Sequence, residues 1–271
     1  MSDAVSQIKD SARKTWARGD FDHVYEISGL ASLGEDLVAH ADIGAGTTVL
    51  DVGAGSGNAA LPAARAGGKV VASDLTPELL EKGRARSEAE GLDIEWVEAD
   101  AEALPFEDGQ FERVLSAIGA MFAPRHDVTA AELARVCAPG GMVTMANWAP
   151  EGGIGDFFKI MGKHMPPPPP EATGPPVMWG SEDYARGLFE PLGLDVSFDR
   201  GEVDFQFESV PAYIDMMEAN FGPMVAAKEL LGDGWAAVRE EIIELDERLN
   251  RATDGSMDLA GEYLIVMARK R

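Results

Sequence analysis

The sequence predicts an α/β fold built on a parallel sheet, and three observations predict it. Short β-rich runs alternate with helical segments from residue 48 onward, and glycine or proline punctuates the joins. The chain, 271 residues with 45% hydrophobic content, is long enough for one good core and an accessory region. Strands separated by helices of this length take right-handed crossovers and lie parallel.

Residues 48–52 read as the first strand, and residues 58–66 as a helix stopped by Gly67 and Gly68. A second β-rich run covers 69–73. Thr76, Pro77 and Glu78 then supply a cap, a first-turn proline and an acid at the positive helix end, opening a helix to about residue 90 that Gly91 stops. Residues 94–98 and 113–116 read as the third and fourth strands. A helix over 128–137, closed by Pro139, Gly140 and Gly141, precedes the fifth at 142–147. Beyond Trp148 the pattern changes. Residues 149–180 carry a glycine-rich start, the proline run 166–170 and Pro175-Pro176, which suit a stiff extended loop crossing the mouth of the site. Residues 181–192 read as a helix and 194–207 as one or two strands with a turn near Arg200 and Gly201. Residues 211–250 are helical with breaks at Gly222-Pro223 and 232–234, and 262–268 are a final apolar strand.

Forty-seven acidic against 23 basic residues give a net charge of −24, which repels nucleic-acid phosphates and anionic membrane surfaces. Neither nucleic acid nor membrane insertion is expected, and a small molecule is. No apolar run reaches the roughly 18 residues a membrane span needs, and residues 1–10 lack a basic-then-apolar leader pattern, so a cytoplasmic location is expected. The lone Cys137 excludes an internal disulfide framework and a multi-thiolate metal site. A monomer or homodimer is expected.

The chemistry concentrates in residues 49–57, an apolar run holding Asp51 and then Gly53, Gly55 and Gly57 at alternate positions. Glycines there let the backbone take positive dihedrals and let a ligand approach the main chain. A dinucleotide fingerprint needs its third glycine at 58, which is Asn58, and no Gly-Lys-Ser/Thr follows to make a phosphate loop. Ligands of open parallel sheets lie beyond the carboxyl ends of the strands. There the second strand ends in Asp74, an acid placed to accept from two ribose hydroxyls. After the third strand, Asp100 beside small Ala101 suits the exocyclic amine of an adenine, with Leu75 and Leu104 on its faces. The ligand expected is an adenosine.

Residues 49–57, 71–80, 98–106 and 132–141 together resemble the successive motifs of class I S-adenosylmethionine-dependent methyltransferases, in flavour the ubiquinone/menaquinone-biosynthesis-type small-molecule branch. The resemblance implies a Rossmann-like, doubly wound sheet of seven strands, mostly parallel with the last antiparallel, and helical lid insertions. It also implies S-adenosyl-L-methionine as cofactor and S-adenosyl-L-homocysteine as product. By resemblance Gly53, Ala54, Gly55 and Gly57 meet the methionine part, Asp74 the ribose, and Asp100 and Ala101 the adenine, with Leu75 among the cofactor contacts. Asp51 orients the loop, and Ser116 closes the fourth strand beside it. One departure is that Ala54 and Ser56 stand where the family often has cysteine or threonine. The organisation expected is an N-terminal helical cover over 1–45, a cofactor-binding core over 46–148, a lid and substrate insertion over 149–252, and a final core strand within 253–271.

Displacement at a sulfonium methyl draws its acceleration from alignment in a water-poor cavity, so few catalytic residues and no metal are demanded. A base is needed only where the acceptor carries a proton. His126, just past the fourth strand on the ligand-bearing edge, is the candidate general base or acceptor anchor. Tyr25, Met121, Phe122, Trp148, Phe157, Trp179 and Phe221 are the candidate walls of an apolar acceptor pocket. The function expected is methyl transfer to a small hydrophobic or aromatic acceptor at oxygen, carbon or nitrogen. The alternative is a non-catalytic S-adenosylmethionine sensor, which binds without turnover.

Overall fold

Strand β1 (Thr48–Val52) runs through the middle of the molecule, with Val49, Leu50, Asp51 and Val52 all buried. A computed structural model describes residues 3–27 and 29–271; Met1, Ser2 and Ser28 of the expected N-terminal cover lie outside them. In chain order the other strands are β2 (Lys69–Asp74), β3 (Ile94–Glu98), β4 (Phe111–Ala117), β5 (Cys137–Trp148), β6 (Leu194–Phe207) and β7 (Met257–Lys270). They form one sheet in the order β3-β2-β1-β4-β5-β7-β6, in which β7 pairs antiparallel with both β5 and β6 and the other pairs are parallel. This is the Rossmann-like doubly wound arrangement, and its strand order reverses between β1 and β4, which opens a crevice at their carboxyl ends. Residues 142–148 of β5 are buried without alternation, as a strand covered on both faces must be. β6 stands at the edge, with its exposed residues interleaved with buried and half-buried ones.

Helices α1 (Asp3–Trp16), α2 (Phe21–Ile27) and α3 (Leu30–His40) precede the sheet. Within it come α4 (Ala60–Arg65), α5 (Pro77–Glu90) and α6 (His126–Val136), then α7 (Gly152–His164), α8 (Glu182–Phe189), α9 (Val210–Asn220), α10 (Gly222–Leu231) and α11 (Trp235–Leu249). α5 starts with Pro77 in its first turn and ends at Gly91, whose φ of 68° lets the amides of Gly91 and Leu92 reach back to the carbonyls of Glu88 and Ser87. Gly83 lets this helix lie on β3, because a β-carbon there would stand 2.3 Å from the Trp96 ring.

Two expectations are corrected. The 149–180 segment is not an extended loop throughout: α7 occupies its first half, with Ile154, Phe157, Phe158 and Met161 recurring at helical spacing on the core side. Its four glycines masked that period. The proline run 166–170 is exposed and lines no part of the site; the chain is pinned just beyond it, where the Thr173 amide donates to the Pro124 carbonyl at 2.8 Å. Residues 194–207 are one continuous strand, since Gly201 lies flat against the Tyr263 ring rather than turning. No helix among the described residues is long and apolar enough to cross a membrane.

Candidate active site

The β1 terminus turns upward through three glycines with φ of 68°, 54° and 98° at Gly53, Gly55 and Gly57. Each has a different reason. At Gly53 a β-carbon would lie 2.8 Å from the Gly119 backbone, so the ends of β1 and β4 meet main chain to main chain. At Gly57 it would strike Trp96 and Leu61. At Gly55 it would meet nothing within 4 Å, and Gly55 lines the cavity that opens here. The loop therefore offers bare backbone to that space, which a ligand pressed against the main chain requires.

Asp74, at the end of β2, braces the loop by accepting from the Gly55 amide at 2.8 Å and from the Thr76 amide at 2.8 Å. Burial raises its carboxyl above the usual range, and those two amides oppose the rise. Asp51, directly beneath the loop, is fully buried; burial pushes its carboxyl up to about 7 against the amides of Ala60 and Ala59, and the Asp74 charge adds to the rise. Ser116 Oγ donates to the Val52 carbonyl at 2.7 Å and accepts from the Ala120 amide at 2.8 Å, locking the two strand ends. Ile118, next along, has φ of 53°, a strained setting for a β-branched residue, on the cavity wall.

Asp100, after β3, accepts from the Glu102 amide at 2.9 Å and from Lys9 Nζ at 2.5 Å. Lys9 is nearly buried and also meets Glu102 at 2.5 Å, while Arg125 closes on Glu102 from the other side at 2.7 Å. The N-terminal helix is thus latched to the rim by charge. Lys9, Ala12, Arg13 and Trp16 turn one face of α1 into the cavity. Trp16 packs edge-on against Phe122 at 5.0 Å and Phe221 at 5.9 Å, closing the roof. Arg86 joins the cover to the glycine loop: its guanidinium lies 4.7 Å from the Tyr25 ring and donates to the Ser56 carbonyl at 3.0 Å.

The cavity measures about 260 Å³. Of the expected cofactor contacts it brings together Gly53, Ala54, Gly55, Asp74, Leu75, Asp100 and Ala101, whereas Asp51, Gly57 and Ser116 lie behind its lining as supports. Of the expected acceptor wall, Tyr25, Phe122, Trp148, Phe157 and Phe221 line it; Met121 is fully buried beneath, and Trp179 is fully buried against His126 and Phe189. His126 is not in the lining either. It opens α6 with its ring 1% exposed, Nδ1 lying 2.7 Å from Tyr184 Oη and the ring 5.5 Å from that of Trp179. Burial pushes its imidazole down to about 4, so it is a neutral core residue. The far wall, which sequence reasoning missed, is formed by Phe205, Tyr213, Ile242, Asp246, Leu249 and Leu259. Among the described residues no group of histidine, cysteine and acidic side chains could hold a metal.

Fold and site define a class. A methyltransferase-domain model matches residues 49–141, and the chain belongs to the class I S-adenosylmethionine-dependent methyltransferases. It is 45% identical over 260 residues to the uncharacterized protein Rv1403c of Mycobacterium tuberculosis, covering 95% of this chain and 93% of that one. Demethylmenaquinone methyltransferase of Thermus thermophilus is 36% identical over 116 residues, 41% of this chain and 53% of that relative. Among solved structures, a methyltransferase candidate of Bacillus halodurans superposes with a TM-score of 0.61 at 26% identity, covering 87% of this chain and 97% of its own. The cofactor is S-adenosylmethionine, and the open backbone at Gly55 between two strand-end carboxylates fits it.

Proposed function

We propose that the enzyme methylates a small apolar or aromatic acceptor, at oxygen, carbon or nitrogen, held in the half of the cavity away from Asp74 and Asp100. The observation that carries this is the continuity of one cavity from the glycine loop to a wall of Phe157, Phe205, Ile242, Leu249 and Leu259. In this reading Asp74 receives the ribose hydroxyls, Asp100 with Ala101 the adenine amine, and Gly53 to Gly55 the methionine part. The bound cofactor supplies an electrophilic methyl group on a positively charged sulfur. The chain's own contribution is alignment and exclusion of water: α1, α7 and the α9–α10 junction roof the site with Trp16, Phe157, Phe158 and Phe221.

The test is release of S-adenosylhomocysteine on incubation with S-adenosylmethionine and a panel of small aromatic and aliphatic compounds, with cofactor binding measured alongside. Turnover with apolar members supports the proposal. Cofactor binding with no turnover on any member favours the sensor, and turnover confined to highly charged members contradicts the apolar acceptor.

A further inference from the structure

We propose that Asp246 receives the polar head of the acceptor and takes up its proton, so that the preferred substrate is a neutral, largely apolar molecule with an O–H or N–H donor at the atom to be methylated. This rests on the function proposed above. α11 turns Ile242, Asp246 and Leu249 into the cavity at helical spacing. One carboxylate therefore stands in a wall otherwise formed by Phe157, Phe205 and Leu259, with the Tyr213 phenol beside them. Among the described residues Asp246 makes no hydrogen bond and no ion pair. A carboxylate in largely apolar surroundings is costly unless a complementary group reaches it, and a donor on the ligand would supply that group here.

The charges nearby are accounted for. Glu247 follows on the same helix, and Tyr213 faces from α9. On α7, Lys163 and His164 pair with Glu241, a turn and more away. Arg239 pairs with Asp215 and Glu218, and Lys228 of α10 with Glu218. Burial, with Glu247 adding to it, lifts the Asp246 carboxyl to about 7; burial and the Asp246 charge raise the Tyr213 phenol. A proton acceptor works best with its pKa near the working pH. The basic side chains among the described lining residues are Lys9 and Arg13 at the cofactor end, engaged with Asp100, Glu102 and Glu98. An acceptor carrying a carboxylate or phosphate would thus meet Asp246 without a counter-charge.

The step balances. A lone pair of the acceptor atom forms the new bond to the methyl carbon while the sulfur–methyl bond breaks with its electrons left on sulfur. The acceptor's proton passes to the Asp246 carboxylate, which returns it to water as the methylated product leaves.

The test is equilibrium binding of 4-propylphenol, 4-propylaniline, 4-propylanisole and 4-propylbenzoate to the protein with S-adenosylhomocysteine bound, in wild type, Asp246→Leu and Asp246→Asn. In wild type the phenol or the aniline binds at least tenfold tighter than the anisole and the benzoate, and which of the two leads separates a hydroxyl from an amine acceptor. Asp246→Leu abolishes the preference for the donor over the anisole. Asp246→Asn keeps donor binding within about threefold while erasing the rise in affinity that wild type shows between pH 6 and 8. Equal binding of benzoate and phenol to wild type overturns the assignment, as does an unchanged donor preference or pH profile in the variants, or failure of all four probes to bind. S-adenosylhomocysteine affinity is read in the same samples: its absence in wild type sinks the transferase reading itself, and its presence with indifferent probes sinks the assignment of Asp246 alone.

Discussion

The two halves of the cavity are built on opposite plans. At the cofactor end the two strand-end carboxylates are already engaged by the protein: Asp74 by the amides of Gly55 and Thr76, and Asp100 by Lys9 and an amide. At the far end, aromatic and aliphatic side chains from α7, β6, α9, α11 and β7 enclose one carboxylate, that of Asp246. Preorganised dipoles suit a ligand of fixed structure, and an apolar wall with one polar point suits a ligand that is sorted by shape and by one hydrogen bond. Under the proposed reading, the difference teaches that the half braced by backbone amides and strand-end carboxylates takes the cofactor, and the apolar half takes the acceptor.

The largest expected effect on ligand binding falls on the cofactor half. Asp74→Ala removes the carboxylate that would meet two ribose hydroxyls and also frees the Gly55 amide; at about 1.5 kcal/mol or more per bond to a charged group, affinity for S-adenosylhomocysteine falls roughly 100-fold, as calorimetry would read.

Next comes the pH dependence of stability, to which both halves contribute. Asp51 and Asp246 each hold a proton to about pH 7 in the folded chain, whereas an unfolded aspartate loses it near 4. Across that window the folded state binds more protons, so unfolding free energy falls as pH rises, by up to about 1.4 kcal/mol per unit and group, and levels off above. Urea unfolding of wild type at pH 5 and pH 8 checks the sign, and Asp51→Asn flattens the slope by its share.

Smaller again is the effect of Lys9→Met. Losing this cation leaves Asp100 with a single amide partner and Glu102 with Arg125, and loosens α1 by roughly 2 kcal/mol. Hydrogen exchange should accelerate in residues 3–16 before it does in the sheet. The smallest effect on turnover is that of His126→Ala, which stays within about twofold while the protein loses on the order of 2 kcal/mol of stability from its buried aromatic cluster. A large loss of turnover would mean that the cavity extends to α6.

The sheet and the placing of the strand-end residues around the cavity were legible in the sequence because their signals are local. Asp74 closes β2, Asp100 follows β3, and the glycines follow β1 directly, so residue type and spacing were enough to bring them to one cavity. The final strand's direction came from resemblance and agrees with β7 lying antiparallel to β5. The acceptor half was not legible in the same way. Its wall is assembled from Phe157, Phe205, Asp246 and Leu259, which are distant in the chain and meet only when α11 packs on α7 and α7 on β7. Asp246 lies in an acidic helical stretch between Glu244 and Glu247, where nothing in the order of residues distinguishes an inward carboxylate from a solvated one. His126 misled for the converse reason. It stands at the right edge of the sheet, but the segment holding Trp179 and Tyr184 folds over it and takes the ring into the core.

The division of labour between the two halves is tested most directly by calorimetric titration of S-adenosylhomocysteine into wild type, Asp74→Ala and Asp246→Leu. The account predicts one site in wild type, a loss of roughly 100-fold in Asp74→Ala, and an affinity in Asp246→Leu equal to that of wild type. Equal losses in both variants, or an undiminished affinity in Asp74→Ala, would contradict it.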